Sequence, residues 1–266
     1  MVFLNKSEAK VSIIIPFFKG KASHLKEALL SVQNQTYKNY EVILIDDGSG
    51  ESFKSREIFD QYKFKNKKYI YLSKNKGVSH AMNLAIEEST GKYVNWLSHD
   101  DKIAPTKLEK QVNLLQNNEE VICYSNFYSF YTNSRFKRVI ITKIHYDKKL
   151  WLILNDRLHG CSLLIPKKLL KEVGKFDETL LHTQDYDMWF RLLKKFKFIH
   201  LDECLLYSRK HNFQTSVKGA EEAKTEKYNL YKKQIMDLND TDKIDIYASL
   251  QIVLSFASRR YFRLTN

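Results

Sequence analysis

Hydrophobic and polar positions follow two different periods in the first hundred residues. Solid apolar runs, typical of strands buried on both faces of a parallel sheet, occur at Val11–Pro16, Tyr40–Ile45, Tyr69–Leu72 and Tyr93–Leu97. Between them, apolar residues three and four positions apart predict helices from about Ser23, over Phe53–Tyr62 and over Gly77–Glu88. Strands that alternate with helices in this way predict a parallel, Rossmann-like sheet.

The rhythm changes after Asp101. Further helices are predicted from Pro105 to about Asn117, over Lys167–Val173, over Gln184–Lys194 and from about Ala220 to the end of the chain. Further strands are predicted at Val121–Tyr131, Arg138–His145, His159–Ile165, Phe198–Leu201 and Leu205–Tyr207. The pattern contains no clear linker or repeat, so we expect one domain followed by a helical C-terminal appendage.

Acidic pairs stand where two of the predicted strands end. Asp46–Ser49 follows the second strand, and His99–Asp101 follows the fourth. Ligands bind beyond the carboxyl ends of the strands in an open α/β sheet. Carboxylates there suit a divalent cation that carries a phosphate, because hard cations prefer oxygen ligands. The alternatives are a local turn at Asp46–Ser49 and a helix cap at Asp100 and Asp101.

The loop Asn75–Ser79 is a second candidate for holding phosphate. Its glycine lets the backbone approach closely, the helix that follows favours anions at its N-terminus, and Lys74 and Lys76 are near. A plain loop with solvated lysines is the alternative. No glycine-rich dinucleotide fingerprint or P-loop follows a strand, so we expect a metal held by carboxylates to bind the phosphate instead.

A candidate base lies in the helix over Gln184–Lys194. Asp185 and Trp189 share a helix face, and a carboxylate beside a large aromatic ring becomes a partly desolvated base. Asp187 lies about 200° round from Asp185, so the two have different roles. The alternative is that Asp185 is only an acid favoured by the helix dipole. His211 is a candidate metal ligand, or a structural histidine.

Composition narrows the class of protein. The chain has 266 residues, 43% hydrophobic, and a net charge of +13, which suits nucleic acid, anionic lipid or nucleotide phosphates equally. The aromatic residues lack the arrangement of an RNA-binding module, so no nucleic-acid partner is expected. Cys123, Cys161 and Cys204 form no CxxC pair, which favours buried thiols in a reducing compartment.

The ends of the chain bear on its location. The first ten residues lack a signal-peptide core, and no apolar run approaches the roughly 20 residues of a membrane-spanning helix. A cytoplasmic protein is therefore predicted. The stretch Tyr247–Phe262 is amphipathic. It either contacts the inner face of a membrane, through residues 240–266, or packs on the domain or a dimer partner.

Five segments together resemble the family 2 glycosyltransferases of GT-A fold. They are Val11–Pro16, Asp46–Ser49, Asn75–Ser79, His99–Asp101 and Gln184–Trp189, in that order. The resemblance covers residues 10–215. It implies an α/β fold with a mostly parallel central sheet flanked by helices. It also implies a GT-A domain over residues 1–218, with a nucleotide-binding half at about 1–103, an acceptor half at about 104–218 and a helical extension over 219–266.

The resemblance implies inverting transfer of a sugar from a UDP-sugar to a glycan hydroxyl, with Asp185 as general base and Mn²⁺ or Mg²⁺ as cofactor. The acceptor would be a cell-surface polysaccharide, a lipid-linked or lipooligosaccharide glycan, or a glycoprotein glycan. The residues implied are Pro16, Phe18, Asp47, Lys76 and Asp100 for the nucleotide sugar, Asp101 and His211 for the metal, which Asp100 would share if it does not bind ribose, and Gln184 and Trp189 for the acceptor or sugar pocket.

Two positions depart from the family pattern, and two other functions remain open. Gln184 stands where the family usually has an acid, and Phe17-Phe18-Lys19 stands where it often has Tyr-Asn. A sugar nucleotidyltransferase is one alternative, although Phe17–Lys21 is a thin phosphate loop. A non-enzymatic basic module for RNA or membrane is the other, and it leaves the ordered acidic pairs unexplained.

Overall fold

The computed structural model describes residues 9–116, 118–131, 137–142, 153, 157–211 and 220–237. The predicted membrane contact through 240–266 lies outside the described residues. So do residues 143–145 of the strand predicted at Arg138–His145, and Asn117 at the end of the predicted fourth helix.

The first sheet has the predicted Rossmann-like arrangement. Its strands are β1 Val11–Phe17, β2 Tyr40–Asp46, β3 Lys67–Tyr71, β4 Tyr93–Trp96 and β8 Ile165–Pro166. They lie in the order β3-β2-β1-β4-β8, with the first four parallel and β8 antiparallel to β4. Ile13 and Ile15 of β1 enter one hydrophobic core, and Ile14 enters another on the opposite face. Both faces are therefore covered, as solid apolar strands require.

Helices cover these two faces. They are α1 Ala22–Gln33, α2 Ser55–Asp60, α3 Val78–Glu88, α4 Lys107–Leu115, α5 Lys167–Val173, α6 Gln184–Lys195 and α7 Ala220–Met236. Leu25 and Leu29 of α1 pack into the first core, while Ala81 and Ala85 of α3 pack into the second. Each pair lies four residues apart on one helix face, which is the spacing that predicted these helices.

A second sheet follows the acidic turn at residues 99–101. It contains β5 Lys102–Ile103, β6 Val121–Tyr131, β7 Lys137–Ile140 and β9 Lys197–Lys210, in the order β5-β9-β6-β7. The two short strands predicted after residue 197 are parts of β9. Asp202 and Glu203 interrupt the apolar pattern because the pairing with β6 shifts there, between Ser125 and Asn126. The bulge keeps the strand continuous.

The strand predicted over His159–Ile165 is wrong. This segment contains a 3₁₀ turn at Gly160–Ser162, and only Ile165 belongs to β8. The backbone of Leu164 still exchanges two hydrogen bonds with Cys123 of β6. The apolar residues are buried here because the turn crosses the core, so burial gave a strand-like pattern without a strand.

The C-terminal helix packs on the domain as far as it is described. Leu230 of α7 is buried, and the ring of Tyr231 lies 5.6 Å from that of Phe190 on α6. Within the described residues, no helix combines the length and apolar character needed to cross a bilayer.

Gly91 lies where β1 and β4 approach at the amino edge of the first sheet. Its N–H donates to Ser12 Oγ at 2.8 Å, and Glu41 of β2 accepts from the same hydroxyl at 2.6 Å. A Cβ added at Gly91 would lie 2.6 Å from the backbone nitrogen of Ser12. One added at Gly160 would lie 3.1 Å from its nearest neighbour, the ring of Trp189.

We expect Gly91→Ala to lower the free energy of unfolding by about 1–3 kcal/mol, because the backbone of β1 must move to make room. Gly160→Ala serves as the matched control, since its neighbours are side chains that need to shift only slightly. Urea unfolding followed by circular dichroism measures both. Equal losses in the two variants would contradict this account of the sheet edge.

Candidate active site

The turn after β2 is closed by Asp46. The carboxylate is buried and accepts hydrogen bonds from the backbone N–H of Ser49, at 2.8 Å, and from the hydroxyl of Ser55. Asp46 therefore forms the local side-chain hydrogen bonds of a turn, which was the alternative to a cation site at Asp46–Ser49. The backbone of the next residue, Asp47, donates to the carbonyl of Phe17 at 2.8 Å, which joins this turn to the end of β1.

Asp47 holds the loop before α3. Its two carboxylate oxygens accept from the backbone N–H groups of Lys76, at 2.7 Å, and Gly77, at 2.8 Å. Burial raises the pKa of Asp47, and these two hydrogen bonds oppose the increase. The anion at the start of α3 is therefore the chain's own carboxylate. The side chains of Lys74 and Lys76 are exposed, and their contact with a nucleotide stays a prediction.

Gly48 allows the turn and the loop to touch. Its φ is +74°, and a Cβ there would lie 2.4 Å from the carbonyl carbon of Lys74 and 2.6 Å from the nitrogen of Asn75. Only glycine fits so close an approach of two backbones. The glycine of the Asp46–Ser49 motif is thus explained by contact with the Asn75–Ser79 motif.

The loop after β1 presents an aromatic ring to solvent. Phe18 is 40% exposed, and Lys19 Nζ lies 5.2 Å from the ring centroid. The backbone N–H of Lys19 donates to Ser49 Oγ at 2.9 Å, so this loop is tied to the turn after β2. The carbonyl of Pro16 accepts a hydrogen bond from His99. Stacking of a nucleotide base on Phe18 stays a prediction.

Asp100 and His211 come together at the carboxyl edge. Asp100 Oδ2 lies 2.9 Å from Nε2 of His211, which follows β9 directly although 111 positions separate the two residues. Burial raises the pKa of Asp100, but the neighbouring His99 and His211 outweigh it, so that the pKa lies below the usual range. The structure therefore joins a carboxylate and an imidazole from distant parts of the chain at this edge.

Asp101 lies deeper than Asp100. Its Oδ1 accepts from the backbone N–H of Arg209 at 2.8 Å, and its Oδ2 is 3.6 Å from His159 Nε2. Burial, with the adjacent Asp100 charge, raises the pKa of Asp101 well above its usual range. Burial also lowers the pKa of His159 to about 4 and raises that of the Cys161 thiol. Burial therefore disfavours the charged form of all three groups.

The group Asp101, His159 and Cys161 has ligand atoms within 4.8 Å of one another. A thiol is a soft ligand and a poor partner for Mn²⁺ or Mg²⁺, which prefer oxygen. Sequence analysis gave no role to His159 and treated Cys161 only as a buried thiol. No local spacing could have indicated either, because their contacts with Asp101 span some sixty residues of chain.

Arg209 fixes the turn that carries both acids. Its buried guanidinium donates from Nε to the carbonyl of Asp100 at 2.8 Å, and from Nη2 to Glu27 Oε2 at 2.9 Å. The guanidinium carbon lies 4.9 Å from the ring centroid of Phe130. A buried charge needs such partners. Arg209 and Glu27 are positioning residues that sequence analysis missed.

Helix α6 places Asp185 in its first turn, half-buried. Asp187 forms an ion pair with Arg191 at 2.8 Å, and Arg191 also donates to the carbonyl of Val173 at 2.7 Å. The two acids therefore have different surroundings. Among the described residues, Gln184 Oε1 and Trp189 Nε1 are buried without a hydrogen-bond partner. Trp189 is 2% exposed and packs in the second core.

A model of glycosyl transferase family 2 matches residues 12–174. The chain belongs to this family. The matched segment contains the loops after β1, β2 and β4. It ends before α6, so Asp185 and His211 lie outside it.

Relatives of this family 2 chain are also glycosyltransferases by name. It is 37% identical over 215 residues to an uncharacterised glycosyltransferase of Rickettsia typhi, covering 77% of this chain and 65% of that protein. It is 38% identical to one of Rickettsia bellii, covering 92% of this chain and 36% of that protein. The putative teichuronic acid biosynthesis glycosyltransferase TuaG of Bacillus subtilis is 29% identical, covering 73% and 77%. The chain thus spans under two thirds of the Rickettsia relatives.

Solved structures confirm the GT-A fold. Residues 1–349 of S. aureus TarS in complex with UDP superpose with a TM-score of 0.67 at 19% identity, covering 89% of this chain and 68% of that chain. The complex of the same protein with UDP-GlcNAc gives 0.69 at 18% identity, covering 89% and 69%.

His24 of α1 is a buried neighbour of the Asp100–His211 pair. Its ring centroid lies 5.3 Å from that of His211. Burial, followed by the charges of Arg209 and His211, lowers the pKa of His24 from 6.5 to about 4. The unfolded state therefore binds a proton between these values that the folded state does not bind. The corresponding stability is present above pH 6.5 and is lost as the pH falls toward 4.

We expect the free energy of unfolding of the wild type to fall relative to that of His24→Gln as the pH is lowered from 7 to 4.5. The slope should approach about 1.4 kcal/mol per pH unit between the two pKa values. Urea unfolding of both proteins at pH 7, 5.5 and 4.5 measures it. If the difference in unfolding free energy between the wild type and His24→Gln stayed constant with pH, His24 would not be a buried neutral imidazole.

Proposed function

We propose that this chain is an inverting glycosyltransferase that moves a sugar from a UDP-sugar to a hydroxyl group of a glycan. The observation that carries the proposal is the contact between Asp100 Oδ2 and His211 Nε2, 2.9 Å apart, at the carboxyl edge of the sheet. The exposed ring of Phe18, on the loop tied to Ser49, provides a surface on which a base can stack. The structures of S. aureus TarS in complex with UDP and with UDP-GlcNAc support a donor of the UDP class.

The residues at the edge fit a hard divalent cation, Mn²⁺ or Mg²⁺. Asp100 and His211 offer an oxygen and a nitrogen in contact, and the donor diphosphate can offer further oxygens. The sequence prediction assigned the cation to Asp101 and His211, with Asp100 as a ribose ligand or a further metal ligand. The contacts favour Asp100, because Asp101 is 2% exposed and its Oδ1 accepts from Arg209. A bound cation would neutralise the negative charge that develops on the leaving diphosphate.

Asp185 is the proposed general base. It accepts the proton of the acceptor hydroxyl, whose oxygen forms a bond to the anomeric carbon of the donor sugar. The bond from that carbon to the diphosphate oxygen breaks, and the nucleoside diphosphate leaves with the electron pair. Attack opposite to the leaving group inverts the configuration. Gln184 and Trp189, on the same helix, are proposed to border the sugar or acceptor pocket.

The acceptor is proposed to be a cell-surface polysaccharide or a lipid-linked glycan. The similarity to TuaG, named as a putative teichuronic acid biosynthesis glycosyltransferase, supports a polysaccharide. A position at the cytoplasmic face of the membrane, with contact through residues 240–266, is part of this proposal. Family membership argues against the nucleotidyltransferase and the non-enzymatic module.

Asp185→Asn should abolish sugar transfer and leave UDP affinity within about twofold of the wild type, because only the base is lost. A positioned base typically contributes about 10²–10⁴-fold to the rate. Asp187→Asn is the matched control, since Asp187 lies on the same helix and pairs with Arg191. Release of UDP from a panel of UDP-sugars, with calorimetric UDP titrations, measures both. Residual turnover in Asp185→Asn equal to that of Asp187→Asn would remove Asp185 from the role.

Mn²⁺ should increase the thermal stabilisation of the protein by UDP, since a ligand that binds only the folded state raises the melting temperature. Asp100→Asn and His211→Gln should lose this increase. Asp60→Asn, an exposed carboxylate that pairs with Lys67, is the control and should keep it. If Asp100→Asn retained the full metal-dependent shift, the proposed cation site would be wrong.

A further inference from the structure

Glu226, on the C-terminal helix α7, binds the turn that leads into α6. Its carboxylate accepts hydrogen bonds from three successive backbone N–H groups, those of Leu181 at 3.0 Å, His182 at 2.9 Å and Thr183 at 2.7 Å. The hydroxyl of Thr183 donates to it as well, at 2.7 Å. Glu226 and Thr183 are 43 positions apart in the chain.

The Glu226 carboxylate lies at the N-terminus of α6, beside the residues that lead into it. Thr183 is the N-cap residue, but its hydroxyl makes no capping bond within the helix and turns to Glu226 instead. The start of a helix leaves N–H groups without partners and carries a partial positive charge, which an anion stabilises. Burial raises the pKa of Glu226, but the Thr183 hydroxyl and the three N–H groups outweigh it and lower the pKa. Glu226 is therefore anionic at neutral pH.

We propose that Glu226 is a positioning residue for Asp185, so that α7 completes the active site. This inference rests on the proposed function, in which Asp185 is the base. Asp185 lies two residues beyond Thr183, in the first turn of α6. The direction of that turn is set by the backbone at residues 181–183, which Glu226 holds. A reacting group misplaced by about 1 Å can cost 10²-fold in rate.

The segment before α6 is held at its other end by α3. Asn83 donates to the carbonyl of Phe176 at 3.0 Å and accepts from the N–H of Phe176 at 2.8 Å. Ser79 Oγ donates to the carbonyl of Asp177 at 3.1 Å. Residues 176–183 are therefore hydrogen-bonded to α3 at one end and to α7 at the other. The hydrogen bonds to α7 are the ones adjacent to Asp185.

Other contacts between α6 and α7 supply a control for plain packing. Lys194 Nζ donates to Gln234 Oε1 at 2.8 Å, far from the N-terminus of α6. Loss of this bond weakens the attachment of α7 without touching residues 181–183. Glu222, an exposed acid on α7, controls for the loss of a negative charge from the helix.

The test uses Glu226→Gln, Glu226→Asp, Gln234→Ala and Glu222→Gln in the full chain. Glutamine keeps the shape of the side chain but loses its charge and places an NH₂ group against backbone donors. Hydrogen exchange at the amides of residues 181–185 is measured with UDP affinity, and kcat and KM are measured with UDP-GlcNAc and UDP-glucose. In Glu226→Gln we expect amide exchange at least tenfold faster and kcat at least tenfold lower, with UDP affinity and donor KM within twofold. Glu226→Asp should recover part of kcat, and both controls should keep the wild-type values.

Two results would overturn the inference. The first is wild-type exchange at residues 181–185 in Glu226→Gln. The second is a kcat loss in Glu226→Gln that Gln234→Ala reproduces at equal melting temperature, since both would then act through packing. The activity of the Asp185→Asn variant distinguishes failure of this inference from failure of the proposed function. If Asp185→Asn is inactive while Glu226→Gln is fully active, only the positioning role is lost. If Asp185→Asn is active, the base itself is wrong.

Discussion

Hydrogen bonds from backbone amides to buried or half-buried carboxylates hold the loops of the candidate site in place. Asp47 accepts from Gly77, Asp101 from Arg209, and Glu226 from Thr183. Each bond satisfies two groups at once, because a buried carboxylate and an unpaired N–H are both costly without a partner. The loops of the carboxyl edge therefore depend on one another.

This constraint divides the acids by role. Asp46, Asp47 and Asp101 each accept a hydrogen bond from a backbone N–H, so each helps to hold a loop of the edge. Asp100 faces His211, and both side chains retain some exposure, at 10% and 18%. Of these four acids, Asp100 is the one for which a cation is proposed. Substitution of Asp46, Asp47 or Asp101 should first displace the loops of the site and only through this affect the chemistry.

The C-terminal helix belongs to the same arrangement. A helical extension over residues 219–266 is predicted from the sequence, and the part described as α7 holds residues 181–183, which lead into the helix that carries Asp185. Asp47 is hydrogen-bonded to the loop before α3, and Asn83 of α3 is hydrogen-bonded to Phe176. The other end of the segment 176–183 is hydrogen-bonded to Glu226. These polar contacts add to the second hydrophobic core, which β1, β2 and α3 share with α6. The division of the chain into domains stays a prediction.

The sequence by itself determined the elements and the position of the motifs. Solid apolar runs specified β1 and β2, and helical spacing specified α1, α3 and α6, because burial imposes a local period on each. It failed at His159–Ile165, where a turn is buried in the core, and at β9, where a bulge carries Asp202 and Glu203 outside the pattern. Only the tertiary structure decided that Arg209 holds Asp101 and that Glu226 holds Thr183. These partners are far apart in the chain, and contacts between distant residues leave no periodic signal in a single sequence.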